Sequence, residues 1–294
     1  KIRRMSELKC EWRIEADLGE GPLWVARENA VYWVDIFKHQ VHRLSLADGA
    51  KKSWSFDQEV TSLAAREQGG FVGTIRDGFA LIDFESSSYE PIALPEADIP
   101  DNRFNDGKVD AQGRFWGGTM DENAELESGS LYRLDADLSL HKMDDHYIID
   151  NGPAFSVDGK TMYHTDTAKG VIYAFDLDEQ GDISNKRLFT QLEDEAEGKP
   201  DGMTVDSENC IWLCHFGGAR ITRYSPAGQV LQVVPMPVPN ITSCTFGGPD
   251  LDTLYITTAR ALMTVEELGT YPLAGSLFSY KPGVSGLPKP LFAG

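Results

Sequence analysis

The sequence has no long hydrophobic run and little positive charge. No window approaches the 18 uninterrupted apolar residues that a membrane-spanning helix needs, and the segment 5–19 lacks the apolar core of a signal peptide. There are 27 Lys and Arg residues against 46 Asp and Glu residues, so the net charge is −19. A body this acidic repels nucleic acid and anionic membrane surfaces. We therefore expect neither a nucleic acid nor a membrane as a partner.

Cysteine is also scarce. The four cysteines are Cys10, Cys210, Cys214 and Cys244. Their spacing matches no zinc motif and supports no disulfide framework, which favours a reduced, cytoplasmic protein. Two of the six histidines, His164 and His215, lie in predicted strands, where a buried structural role and a catalytic role are both open.

The sequence does contain a repeat. Six short strand-like runs are centred on Trp33, Val72, Trp116, Tyr163, Trp212 and Tyr255, at steps of 39, 44, 47, 49 and 43 residues. A turn and a second apolar run follow each of them. A period of about 40–50 residues filled with short strands is typical of a β-propeller, with one four-stranded sheet for each period. The pattern predicts an all-β fold, a six-bladed β-propeller.

Because the repeat continues along the sequence, we expect a single domain over residues 14–294. Residues 1–13 are expected to form an N-terminal extension, in which Met5 is a candidate native start and residues 1–4 are foreign to the natural protein. The C-terminal segment 288–294 is expected to return to the first blade and close the ring. Residues 86–102, with three prolines, are interpreted as a connecting loop, and 261–275 as an insertion that holds a short helix.

A polar residue begins another short run 11 to 13 residues before each repeat centre. These residues are Glu20, Thr61, Asn105, Asn151, Asp201 and Ser243. Equivalent positions of six blades point at one end of the central channel, so the six side chains should form a ring. An Asn-Gly or Asp-Gly pair taken alone more often marks a turn, but its recurrence at one phase of the repeat favours the ring. The carboxylate and amide oxygens in it suit hard divalent cations, above all calcium, with magnesium or manganese as alternatives.

Several long motifs resemble one known family. They are LGEGPLW (18–24), DNRFNDGKVDAQGRFWGGTM (101–120), IIDNGPAFSVDGKTMY (148–163), PDGMTVDSENCIWL (200–213) and ITSCTFGG (241–248). In this content and order the sequence resembles the regucalcin (senescence-marker-protein) and gluconolactonase family. The resemblance implies a six-bladed propeller that binds one divalent metal, calcium or else zinc, magnesium or manganese, and hydrolyses a sugar lactone.

The resemblance also assigns residues. It implies that Glu20, Asn151 and Asp201 bind the metal, and that Arg103 and Asn105 bind substrate. A third substrate contact of the family, a glutamate, falls by spacing on Asn123, with Glu122 beside it. We therefore predict Arg103, Asn105 and Asn123 as substrate-binding residues.

The implied reaction is hydrolysis of a cyclic ester, in which the cation polarises the lactone carbonyl. Asp201 is the candidate catalytic residue, assisting proton transfer. Two alternatives stay open at this point: a calcium-dependent organophosphate triester hydrolase, and a calcium-binding propeller without catalysis. A sugar needs several hydrogen-bonding partners, whereas a phosphotriester prefers an apolar pocket, so Arg103 and Asn105 favour the sugar. The partner is then a small-molecule lactone, and the protein a monomer or weak homo-oligomer.

Overall fold

The computed structural model describes residues 8–294. Residues 1–7, including Met5, lie outside the described residues. In chain order, the strands of the first half are β1 (Lys9–Trp12), β2 (Gly19–Val25), β3 (Ala30–Asp35), β4 (Gln40–Ser45), β5 (Lys51–Ser55), β6 (Val60–Ala65), β7 (Phe71–Ile75), β8 (Gly78–Asp83), β9 (Ser88–Ala93), β10 (Asn102–Val109), β11 (Phe115–Asp121), β12 (Gly129–Leu134) and β13 (Leu140–Tyr147).

The second half continues the same pattern. Its strands are β14 (Asp150–Phe155), β15 (Thr161–Asp166), β16 (Val171–Leu177), β17 (Ile183–Gln191), β18 (Lys199–Val205), β19 (Ile211–Phe216), β20 (Arg220–Tyr224), β21 (Val230–Pro235), β22 (Ile241–Gly247), β23 (Thr253–Thr258) and β24 (Leu277–Tyr280). Two 3-10 turns (Ala26–Glu28 and Glu195–Glu197) and one helix, α1 (Val265–Thr270), lie between strands. Among the described residues no helix is long and apolar enough to cross a membrane.

The strands form six separate four-stranded antiparallel sheets. Their orders are β2-β3-β4-β5, β6-β7-β8-β9, β10-β11-β12-β13, β14-β15-β16-β17, β18-β19-β20-β21 and β22-β23-β24-β1. The first strands of successive sheets pack against one another, and the last of them, β22, packs against β2. This closed ring of sheets confirms the predicted six-bladed propeller. All six repeat centres lie on the second strands, and α1 occupies the insertion where a short helix was expected.

Two expectations about chain ends and edges were wrong. The ring is closed by β1, which pairs antiparallel with β24, with Lys9 opposite Ser279 and Cys10 opposite Phe278. Residues 9–12 therefore belong to the sixth blade and not to an extension, because pairing them covers the otherwise open edge of β24. The segment 86–102 was interpreted as a loop but contains β9, in which Pro91 is tolerated because β9 is the outer strand of its sheet.

A repeated hairpin lock fixes the first two strands of blades three and five. In blade five the buried carboxylate of Asp206, just after β18, accepts from Trp212 Nε1 at 2.8 Å and from Arg223 Nε at 2.8 Å. In blade three Asp110 accepts from Trp116 Nε1 at 2.9 Å. The lock holds the tryptophan at the repeat centre against the end of the innermost strand. It thereby fixes the orientation of that strand, including its opposite, polar end.

The C-terminal segment crosses the far end of the channel. Gly286 N donates to Leu251 O at 2.7 Å in the sixth blade, and Phe292 N donates to Ala65 O at 2.9 Å in the second. Ala293 N donates to Gly113 O at 3.0 Å in the third blade. The segment 288–294, predicted to close the ring, thus bonds to the second and third blades instead of adding a strand to the first blade.

Candidate functional site

All six innermost strands contain a β-bulge where the ring residues were predicted. The register of each with its neighbour shifts between Glu20 and Leu23, Val60 and Ser62, Phe104 and Gly107, Asn151 and Ala154, Pro200 and Met203, and Ile241 and Ser243. A bulge inserts an extra residue and turns a side chain away from the regular pleat. Repeated at one phase of six blades, it directs polar groups of the innermost strands to the channel.

Glycine is needed beside two of these bulges. Gly152 follows Asn151 with φ of 89°, in the left-handed region that other residues avoid. A Cβ on Gly202, which follows Asp201, would lie 2.3 Å from Ser243 Oγ in the next blade. The glycines therefore allow the innermost strands to approach closely around the axis.

The carboxyl groups of Glu20 and Asp201 face each other from blades one and five. Both residues are buried, at 4% and 5% exposure. Burial, and then repulsion from Asp106, raises the pKa of Glu20 to about 8. Burial, and then the charge of Glu20, raises the pKa of Asp201 well above its ordinary value. Two desolvated carboxylates side by side cannot both be charged at low cost unless a cation lies between them.

Two amide side chains complete this end of the channel. Asn151 Nδ2 donates to Thr167 Oγ1 at 2.7 Å. This bond fixes the orientation of the amide, so that its Oδ1 points away from Thr167. Asn105 Nδ2 donates to that Oδ1 at 3.2 Å and to Asp150 O at 2.6 Å. Asn105 of blade three thus lies beside Asn151 of blade four, as Glu20 of blade one lies beside Asp201 of blade five.

In the other two blades the residue at the bulge is a threonine whose hydroxyl makes a hydrogen bond. Thr61 Oγ1 shares a hydrogen bond of 2.6 Å with Thr74 Oγ1. In the sixth blade the bulged residue is Thr242, one position before the predicted Ser243. Thr242 Oγ1 donates to Gly19 O at 2.5 Å. These hydroxyls hold strands together, so the ionisable groups of the ring are confined to the other blades.

Arg103 lies between the side-chain amide of Asn105 and Glu122 at the mouth of the channel. It is buried at 4% exposure, and burial lowers the pKa of its guanidinium. Its Nη1 donates to Asn105 Oδ1 at 3.0 Å and to Phe104 O at 3.0 Å, which orients the Asn105 amide. The guanidinium carbon lies 5.8 Å from the centre of the half-exposed Phe37 ring. Arg103 and Asn105 therefore present their polar groups together, with an aromatic wall beside them.

The third substrate contact implied by the family resemblance falls on Asn123, with Glu122 beside it. Of these two residues, Glu122 faces Arg103. Glu122 Oε1 lies 3.8 Å from Arg103 Nε, and its two oxygens accept from Arg76 at 2.7 and 2.6 Å. Asn123 is exposed, and its backbone N–H donates to Asp121 at 3.2 Å. The assignment of Asn123 to substrate stays a prediction, while Glu122 has the geometry for that contact.

Sequence reasoning missed two buried acids behind the ring. Asp150 is fully buried, and neither carboxylate oxygen has a hydrogen-bond partner among the described residues. Its Oδ2 lies 3.8 Å from Nε2 of the equally buried His164, and burial raises the pKa of Asp150. Asp106 accepts from Gly107 N and Gly152 N, both at 2.8 Å. Each acid adjoins a ring asparagine in sequence, which is the signal that could have indicated it.

The donor set fits a divalent cation. Asp201 Oδ1 is buried without a hydrogen-bond partner in residues 8–294 and lies beside the carboxyl of Glu20. Within the same residues no three His, Cys, Asp or Glu side chains converge as a metal cluster. Glu20 and Asp201 carry carboxylate oxygens and Asn151 an amide oxygen, which are the donor types that calcium accepts.

Comparison with known proteins identifies the family. Residues 18–260 match the family described as the SMP-30/Gluconolactonase/LRE-like region. The chain belongs to this family, which confirms the resemblance carried by its motifs.

Individual relatives match almost end to end. The chain is 40% identical over 287 residues to 6-deoxy-6-sulfogluconolactonase of Pseudomonas putida, covering 98% of this chain and 99% of that protein. It is 39% identical over 296 residues to regucalcin of Gallus gallus, again covering 98% and 99%. Among solved structures, a calcium-binding protein, regucalcin, of Agrobacterium tumefaciens superimposes with a TM-score of 0.92 at 27% identity, covering 98% of this chain and 97% of that one.

Proposed function

We propose that this protein hydrolyses a sugar lactone to the open acid, with a divalent cation held by Glu20, Asn151 and Asp201. The observation that carries the proposal is the buried Glu20–Asp201 carboxyl pair, with an unpartnered Asp201 oxygen, next to the polar pair Arg103–Asn105. Calcium is the preferred ion, because the donors are all oxygen. When bound, such a cation would polarise the lactone carbonyl and offset the negative charge that develops on its oxygen.

Asp201 is the proposed proton acceptor. Its Oδ1 accepts no hydrogen bond from any described residue, so it is free to take a proton from the attacking water and return it to the ring oxygen that leaves. Glu20 is less available for this role because its Oε2 already accepts from Gly21 N at 3.0 Å. Asp201 therefore serves as both ligand and base, and Glu20 as ligand.

Arg103 and Asn105 are the proposed substrate-binding groups, with Glu122 at the mouth. The planar guanidinium of Arg103 has donors beyond the Nη1 used internally, and these suit the hydroxyl oxygens of a sugar. The carboxylate of Glu122 suits the hydroxyl hydrogens. A pocket lined this way is matched to a polyhydroxylated ring better than to an apolar phosphotriester.

The charge at the mouth bears on which lactone fits. Arg76 is held by Glu122 on one side and by Glu59 at 3.0 Å on the other. The charge of Arg76 is therefore already neutralised, and its guanidinium is not available to an anionic substituent. We propose an uncharged aldonolactone as the preferred substrate, although the Pseudomonas putida relative is named for a sulfonated one.

The test is a pH-indicator assay of metal-loaded protein against neutral aldonolactones, 6-deoxy-6-sulfogluconolactone and phosphotriesters. We expect kcat/KM for the best neutral lactone to equal or exceed that for the sulfonated lactone, with no phosphotriester cleavage. A preference for the sulfonated lactone would contradict the proposed preference for an uncharged substrate, but not lactone hydrolysis itself. Phosphotriester cleavage without lactone hydrolysis would favour the hypothesis of an organophosphate triester hydrolase. No turnover of either substrate class would favour a calcium-binding propeller without catalysis.

A further inference from the structure

Glu96 is a buried carboxylate that the proposed reaction does not use. It lies in the connection between β9 and β10 and is 6% exposed. Its Oε1 accepts from Asn102 Nδ2 at 2.7 Å, and its Oε2 accepts from Thr119 Oγ1 and Tyr132 Oη, both at 2.8 Å. Asn102 is equally buried and directly precedes the substrate-binding Arg103. We call these four residues, without Arg103, the Glu96 network.

The network suits a carboxylate at position 96 and not an amide. Both hydrogens of the Asn102 amide are used, one by Glu96 Oε1 and the other by Ser128 O at 2.9 Å. Thr119 Oγ1 accepts from Ser130 N at 2.8 Å, so its own hydrogen is directed to Glu96. A glutamine here would place an NH₂ group against one of these donors, whereas a carboxylate accepts from all of them.

The loop 122–128, which carries Glu122, is held at both ends by the residues just before Arg103. At one end, Glu122 N donates to Asp101 O at 2.9 Å. At the other end, Ser128 Oγ donates to Asn102 Oδ1 at 2.7 Å, and Ser128 O accepts from Asn102 Nδ2. Because Arg103 follows directly, these bonds fix the loop relative to Arg103.

Glu122 is therefore fixed at its side chain and at its backbone. Its carboxylate accepts from Arg76 of the neighbouring blade at 2.7 and 2.6 Å, and lies 3.8 Å from Arg103 Nε. Arg76 does not set the separation from Arg103 alone, because the backbone position of residue 122 decides where the side chain begins. That backbone position depends on the bonds at the two ends of the loop.

We propose that Glu96 and Asn102 are positioning residues, which hold the loop 122–128 so that Glu122 faces Arg103 at the mouth of the channel. The effect on substrate rests on the proposed function, in which Arg103 and Glu122 bind the sugar. Glu96 acts through Asn102 and the loop, since its own carboxylate is buried and its oxygens are engaged. Loss of the network should therefore weaken substrate binding and leave the chemical step unaffected.

The kinetic test uses Glu96→Gln, which keeps the size of the side chain. We expect KM for the best aldonolactone to rise by about 3–10-fold, the scale of one lost hydrogen bond, with kcat within about twofold of the wild type. The rise should disappear in the Glu122→Gln background, because the network acts through Glu122. A role in stability alone would lower the Tm without this coupling. Glu90→Gln, at an exposed position of β9, is the matched control and should leave KM unchanged.

Ser128→Ala keeps the test decisive if Glu96→Gln does not fold. It removes only the hydroxyl that donates to Asn102, and should raise KM in the same direction by a smaller factor. The matched control is Ser139→Ala, which removes a hydroxyl that donates to Asp137 at 2.5 Å in the next hairpin of the same blade. It should leave KM unchanged.

Amide hydrogen exchange tests the positioning without any turnover. In Glu96→Gln and in Ser128→Ala, the peptide that covers residues 122–128 should exchange faster than in the wild type, while the peptide that covers α1 should be unchanged. If the wild type hydrolyses no lactone, the proposed function fails and the exchange rates decide whether the network holds the loop. The proposal is overturned if exchange in 122–128 is the same in the wild type and both variants, if lactone is hydrolysed with an unchanged KM in both, or if KM rises equally in the Glu122→Gln background.

Discussion

The two roles proposed for Asp201 oppose each other at the scale of a single side chain. A carboxylate that ligates a cation has a lower proton affinity, whereas burial beside Glu20 raises the pKa of Asp201. The unpartnered Oδ1 allows both roles, because one oxygen can ligate while the other accepts a proton. The balance between the two effects sets how basic Asp201 is when the site is loaded.

Asp201→Asn should therefore preserve the shape of the site and remove the base. At saturating metal, we expect hydrolysis of the best aldonolactone to fall by at least ~10²-fold, the usual scale for losing a general base. Asp250→Asn, which alters an exposed acid, is the matched control and should leave the rate unchanged. Full activity of Asp201→Asn at saturating metal would exclude Asp201 as the base.

Glu122 and Asn123 can be separated by the same assay. Glu122→Gln should raise KM several-fold with little change in kcat, because the carboxylate faces Arg103 and is proposed to bind substrate away from the reacting carbonyl. Asn123→Ala should leave both constants unchanged. The reverse pattern, an effect of Asn123→Ala alone, would support the assignment made from sequence spacing.

The repeat phase predicted Glu20, Asn105, Asn151 and Asp201 because equivalent positions of successive blades must meet at the axis. It did not predict Thr242, since a bulge shifts the side-chain register by one residue and leaves no local sequence signal. Glu122 was ambiguous for a different reason. Its direction depends on the conformation of the loop 122–128 and on Arg76, which comes from the neighbouring blade.

At the scale of elements, the Asp–Trp lock should contribute strongly to blade stability. The Asp206 carboxylate accepts from the N–H groups of Glu208 and Cys210 as well as from Trp212 and Arg223. Asp206→Ala leaves these donors unpaired, so we expect the free energy of unfolding to fall by about 3–5 kcal/mol. Urea denaturation measures the loss, with Asp250→Ala as the exposed control. A loss below about 1 kcal/mol would show that the lock is dispensable.

The second and third strands of every blade were predictable because local alternation and turns specify them. The strands β1 and β9 were not. The pairing of β1 with β24 joins residues 268 positions apart, as in the 2.5 Å hydrogen bond from Ser279 Oγ to Glu11 Oε1, and no local pattern encodes such a distance. The outer strand β9 tolerates a proline and a glutamate, which argue against a strand elsewhere.

At the scale of the whole molecule, buried histidines should make stability depend on pH. His42 is 1% exposed, its Nδ1 lies 2.7 Å from Ser53 Oγ, and burial lowers its pKa to about 4. The unfolded chain takes up this proton near pH 6.5, so the contribution of His42 is complete above that pH and is lost as the pH falls toward 4.

The wild type should lose roughly 3 kcal/mol more than His42→Gln between pH 6.5 and pH 4, measured by urea denaturation of each protein at both values. The variant lacks the titrating ring, so the difference between the two slopes isolates it from the buried carboxyls. Parallel slopes for both proteins would contradict a neutral, buried His42.

Glu20, Asn151 and Asp201 are proposed to form a divalent metal centre on which lactone hydrolysis depends. The most direct measurement is the initial rate of aldonolactone hydrolysis by protein shown by elemental analysis to be metal-free, during titration with calcium, zinc, magnesium or manganese. We expect a rate within background for the metal-free protein and recovery that saturates at one equivalent of at least one of these ions, with no recovery in the Glu20→Gln/Asp201→Asn double variant. Undiminished hydrolysis by the metal-free protein would contradict it.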